Sequence, residues 1–205
     1  MAHTFHTYEG GEGNLTAHHA WLQYLVGKEL YDAGKYEAAK AEFVAGLTFP
    51  DNYGEEKNYF VNDAPLYSMI AACNKKLGLT KEADEYLALS DTTKGAPTIH
   101  TYFQCKALEQ AGNAARAESL SSALVSMGEN RIATADVNDY YGVGSPAYPP
   151  FGYDIVKAHN TQGETLMAYG YLAKGETEKA KAYIESVKNR NVADFNAYLF
   201  GEIIK

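Results

Sequence analysis

The chain predicts an all-α fold: about four helix pairs with two loop insertions and a C-terminal capping helix, as one domain over 1–205. Three observations predict it. A glycine followed five residues later by an alanine recurs four times, as Gly34/Ala39, Gly78/Ala83, Gly112/Ala117 and Gly175/Ala180. Each recurrence lies between segments whose apolar residues repeat with helical period. No run alternates convincingly between apolar and polar residues as a half-buried strand does. Glycine releases the backbone at a helix end, and alanine leaves room for a neighbouring helix.

The elements follow in order. Around Gly34, helices are expected over 16–33 and 35–48, on Val26, Gly27, Leu30, Tyr36, Ala39 and Phe43, with Pro50 closing the unit. Around Gly78 they are expected over 63–77 and 80–89, on Tyr67, Ile70, Ala71, Ala83 and Leu87. Gly112 separates 97–111 from 113–127, on Cys105, Leu108, Ala117, Leu120 and Leu124. Gly175 separates 155–174 from 176–189, on Met167, Ala168, Tyr171, Ala180, Ile184 and Val187. A last helix near 193–204 caps the array. Asp63, Thr80 and Asn113 have the side chains that accept from free amides at helix starts.

The turn glycines stand 44, 34 and 63 residues apart. A repeat of ~34 residues accounts for one interval, and insertions of about ten and about thirty residues account for the others. Repeats therefore fall near 16–50, 63–90, 97–127 and 155–190. The first insertion, Asp51–Phe60, is polar. The second, an aromatic loop over 129–158, carries Tyr140, Tyr141, Tyr148, Phe151 and Tyr153 among prolines and glycines that forbid a continuous helix.

Composition narrows the function. A net charge of −8 argues against nucleic acid, whose binding rests on neutralising phosphates. No apolar run is long enough to span a membrane. The amino terminus has no apolar signal core, so the expected compartment is the cytoplasm. Cys73 and Cys105 lie on apolar helical faces and read as reduced core thiols, not as a disulfide or metal pair. His18 and His19, with His3 and His6 nearby, read either as metal ligands or as surface and cap histidines; adjacent helical histidines point apart, which favours the second. Gly10–Gly13 lacks the preceding strand and the Lys-Ser/Thr of a phosphate loop and reads as a turn. His100, His159 and Cys105 form no nucleophile–base signature, and Asp136 and Asp139 sit in a polar connector. No catalytic residue, cofactor or metal is expected.

The Gly–Ala turns and their flanking apolar residues resemble the tetratricopeptide repeat. His3-Thr-Phe-His-Thr-Tyr-Glu-Gly-Gly-Glu-Gly13, Pro50-Asp-Asn-Tyr-Gly-Glu-Glu-Lys57 and Asp139-Tyr-Tyr-Gly-Val-Gly-Ser-Pro146, followed by Asn160, add a narrower resemblance. They are similar to the C-terminal region of large bacterial proteins whose N-terminal part is a β-rich domain of unknown function. That resemblance implies an accessory or interaction region and supplies no catalytic residues.

In this repeat the first helix of each pair lines an inner groove. Its inward positions here hold Trp21, Tyr24, Lys28 and Tyr31, then Ser68 and Lys75, then Tyr102 and Lys106, then Tyr169. Aromatic rings interleaved with lysines suit a sugar or peptide bearing a carboxylate. The alternative is that the rings are core or that the aromatic loop fills the groove. Two functions are thus expected. The first is a scaffold contacting a protein partner, a missing N-terminal domain or a second copy. The second is a module binding a glycan or other small ligand.

Overall fold

Four helix ends reverse on a glycine in the left-handed region. In the computed structural model, which describes residues 14–54, 62–92, 96–134 and 154–205, φ is 76° at Gly34, 78° at Gly78, 80° at Gly112 and 79° at Gly175. The amide after each glycine donates to a carbonyl five residues back: Lys35 to Leu30, Leu79 to Asn74, Asn113 to Leu108 and Glu176 to Tyr171. The glycine's own amide donates three residues back, as Gly34 does to Tyr31 at 2.9 Å. This pair of bonds satisfies carbonyls that a helix end leaves open, and it needs a positive φ that side chains resist.

The described helices are α1 (Asn14–Asp32), α2 (Tyr36–Ala45), α3 (Ala64–Lys76), α4 (Thr80–Asp91), α5 (His100–Gln110), α6 (Ala114–Ala133), α7 (Ile155–Ala173), α8 (Thr177–Arg190) and α9 (Phe195–Ile203). A 3-10 turn covers Asp51–Tyr53. Among the described residues there is no strand, and the fold is all-α.

Contacts gather into two units. The first holds α1–α4 and residues 106–113; the second holds 96–105 and α6–α9. In the first, α2 packs on α1 and α3, and α3 packs on α4. Tyr24, Phe43, Leu66 and Ile70 form its interior. Ala39 and Ala83, the small residues after the turns, are wholly buried. In the second, α7 packs on α6 and α8, and α9 packs on α7 and α8. Leu124, Ala168, Tyr169, Ile184, Val187 and Phe200 fill that core. Cys105 and Ala117 meet across the α5–α6 turn, where the thiol donates to the Ala117 carbonyl at 3.4 Å.

The α6–α7 contact is closest at two glycines. A Cβ on Gly128 would lie 2.5 Å from the Gly163 carbonyl oxygen, and one on Gly163 would lie 2.6 Å from Ile132 Cγ1. Backbone therefore meets backbone, and no side chain fits. Arg190 ties α8 to α7 by a two-pronged ion pair with Glu164 and a 3.0 Å bond to Thr161 Oγ1.

Two expectations need correction. The aromatic insertion does not begin at 129, because α6 continues to Ala133. Gly128 and Ile132 carry the apolar period of Leu124 forward against α7, and Arg131 Nε bonds Gln162 at 3.0 Å. Nor do the Asp63 and Thr80 side chains cap helices, although Asp63 stands at the N-cap position of α3. Asn62 Oδ1 accepts from the Ala64 amide at 2.9 Å, and Thr80 is already helical, preceded by Leu79. Side-chain caps are seen at Asp154, accepting from the Lys157 amide, and at Asp194, accepting from the Ala197 amide.

Candidate functional site

Residues 21, 24, 28 and 31 share one face because their spacing follows the helical turn. On α1 the Trp21 ring stands edge-on to Tyr24 at 5.4 Å, and Tyr24 leans on Phe43 at 6.0 Å. Trp21 is half-buried, whereas Tyr24 is only 1% exposed and belongs to the core. Gly27 makes this possible: a Cβ there would lie 2.5 Å from Phe43 Cε1. Lys28 Nζ pairs with Asp32 at 2.5 Å, so its charge is answered within its own helix. Tyr31 meets Tyr36 edge to face at 5.3 Å. Burial raises the Tyr31 hydroxyl above its ordinary range, and ionisation of Cys73, Tyr36 and Asp32 would raise it further.

The other inward lysines are also engaged. Lys75 Nζ donates to the Gln110 carbonyl at 3.4 Å, and Lys106 pairs with Glu109 at 2.9 Å. In the second unit Tyr102, half-buried, stands edge-on to Phe103 at 5.1 Å and to Tyr169 at 6.0 Å. Tyr169 is 0% exposed, packs edge-on to Phe200 at 5.7 Å and donates its hydroxyl to the Asn196 carbonyl at 2.9 Å. The structure thus brings Trp21, Tyr24, Lys28 and Tyr31 together in the first unit, and Tyr102 and Tyr169 in the second. Tyr140, Tyr141, Tyr148, Phe151 and Tyr153 lie outside the described residues.

The titratable candidates have structural partners. His19 offers Nδ1 to the Tyr53 hydroxyl at 3.2 Å and Nε2 to the Ala45 carbonyl at 3.3 Å. Cys73 and Cys105 are buried thiols outside any disulfide, and burial pushes the Cys73 thiol up to about 11. A thiol held that high is protonated near neutrality and is a poor nucleophile or metal ligand. Among the described residues no three His, Cys, Asp or Glu side chains gather as a metal set, and no helix is long and apolar enough to cross a membrane.

Sequence reasoning passed over two features. One is the outward apolar residues of α1 and α9: Leu22 and Val26 are 63% and 47% exposed, and Tyr198 is 55% exposed beside Phe195. The other is a cleft of about 430 Å³ in the first unit, between α4 and the end of α5. Both were legible as helical spacings, at 22/26, 195/198 and 84/87/88/91, had exposure been known. No protein-family model matches the chain, and no solved structure gives a significant match.

Proposed function

We propose that this protein is a non-catalytic, tetratricopeptide-like helical scaffold that makes protein–protein or interdomain contacts. The repeat reading is supported by the shared turn geometry of the four glycines and by the buried alanine five residues after each. The contact reading is carried by Leu22 and Val26 on α1 and by Phe195 and Tyr198 on α9, which leave apolar surface in water at the first and last described helices. In stacked repeats such a face is covered by a neighbour, and contiguous exposed apolar patches mark interaction sites. The glycan reading has less support, because Tyr24 and Tyr169 are enclosed in the core.

The test is sedimentation equilibrium across a wide concentration range. The protein is expected to associate with rising concentration, and Leu22→Glu with Val26→Glu to shift it towards monomer without changing its circular dichroism. Association that both this pair and Phe195→Glu with Tyr198→Glu leave untouched would overturn the assignment of these faces. A monomer at every concentration would count against self-association and leave a separate domain or protein as the partner.

A further inference from the structure

Leu22 and Val26 on α1 stand twelve and eight residues before the turn glycine Gly34. The same offsets from Gly78 give Leu66 and Ile70 on α3, and from Gly175 they give Gly163 and Met167 on α7. Leu66, Ile70 and Met167 are buried, whereas Leu22 and Val26 are exposed. The preceding helix does the covering, and in both cases it presents a glycine. A Cβ on Gly46, at the end of α2, would lie 3.0 Å from Leu66 Cδ1, and one on Gly128 of α6 would lie 2.6 Å from Met167 Cγ. A large apolar residue stands three places before each of these glycines, Phe43 in α2 and Val125 in α6. The exposed face of α1 thus repeats, in register, a surface that this chain covers with a helix in two other places.

We propose that α9 of a second copy of this chain covers the Leu22/Val26 face, in a head-to-tail contact. The glycines select α9. On Gly27, Gly128, Gly163 and Gly170 an added Cβ would lie 2.5–2.6 Å from a neighbour, so those sides of their helices are occupied. Gly201 of α9 has nothing within 4 Å, which makes it the open helical glycine among the described residues. Exposed Tyr198 stands three places before it, so α9 repeats the large-residue and glycine spacing of Phe43/Gly46 and Val125/Gly128. The contact continues the interface already built between α2 and α3 and between α6 and α7, and it is driven by apolar area leaving water. Because two different faces meet, association proceeds past the dimer unless a ring closes. Copies bearing a net charge of −8 repel, so the contact strengthens as salt screens them. The inference rests on the scaffold reading and names its partner.

Mixing two variants of the full chain tests it, by sedimentation equilibrium at physiological salt. Leu22→Glu with Val26→Glu removes the α1 face, and Tyr198→Glu removes the α9 face. Each variant alone is expected to associate about tenfold more weakly or worse, as for loss of a central interface residue. Their equimolar mixture is expected to recover a dimer, since each supplies the face that the other has lost. If Tyr198→Glu fails to fold, Gly201→Leu takes its place, because a Cβ there meets nothing in the chain. Pairing of α1 with α1 or of α9 with α9 gives no recovery on mixing, which overturns the proposal and leaves the exposed faces as contact sites. Association untouched by either variant overturns both the proposal and the assignment of those faces. A monomer at every concentration overturns the proposal alone and leaves the scaffold reading with a separate partner.

Discussion

Tyr169 shows how one residue can satisfy the sequence pattern of a ligand groove and serve as core. Its ring packs between Tyr102 and Phe200, and its hydroxyl is used by the Asn196 carbonyl. Tyr169→Phe should cost about 0.5–1.5 kcal/mol, the net value of a hydrogen bond, plus a penalty for leaving that carbonyl without its donor. Tyr169→Ala should cost about 3–5 kcal/mol, as for other buried aromatics. Urea unfolding of the two variants checks this. A Tyr169→Ala protein as stable as the parent would return the ring to the surface and revive the glycan reading. The candidate groove was only partly legible for this reason. Position along α1 or α7 follows from local spacing, but whether a ring faces water depends on what lies across from it. For Tyr24 that is Phe43, and for Tyr169 it is the start of α9.

At the scale of elements, the glycines divide into kinds that substitution can separate. Gly128 and Gly163 let α6 and α7 touch backbone to backbone, so Gly128→Ala should destabilise by about 1–3 kcal/mol through overpacking. Gly201, inside α9, has nothing within 4 Å of an added Cβ and no left-handed φ. There Gly201→Ala should instead stabilise, by about 0.5–1 kcal/mol, because alanine is the better helix former. Thermal melts of the two variants should move in opposite directions; the same direction for both would contradict the packing drawn here. Helix extents were largely legible, since a turn glycine and a 3.6-residue period are local signals. The last turn of α6 was not, because the run Glu129–Ala133 is polar enough to pass for loop until Ile132 is seen against α7.

On the whole-molecule scale, each unit has its own buried thiol, Cys73 in the first and Cys105 in the second. Reaction with an alkylating agent in increasing urea therefore reports the opening of each unit separately, and both thiols should be protected in native buffer. The Cys73 thiol, raised by burial from 9.0 to about 11, also sets a sign for pH dependence. A raised acid is protonated in the folded state over a range where the unfolded chain has already lost its proton. Its contribution is present below pH 9 and falls as pH rises towards about 11. Tyr31 and Tyr67, also raised by burial, act with the same sign. Cys73→Ala should flatten part of that alkaline loss, and rapid native alkylation of Cys73 at neutral pH would contradict its burial.

The sequence by itself determined the all-α class, the order and approximate limits of the helices, and the four glycine turns with their buried alanines. These depend on residues within a few positions of one another, through the backbone freedom of glycine and the period of the helix. Only the tertiary structure decided that Tyr24 and Tyr169 are core, that α6 runs on to Ala133, and that Asp84 and Asp91 flank an apolar cleft. Those outcomes depend on which surface meets which across helices far apart in the chain. Burial and charge environment belong to that meeting and to no single segment.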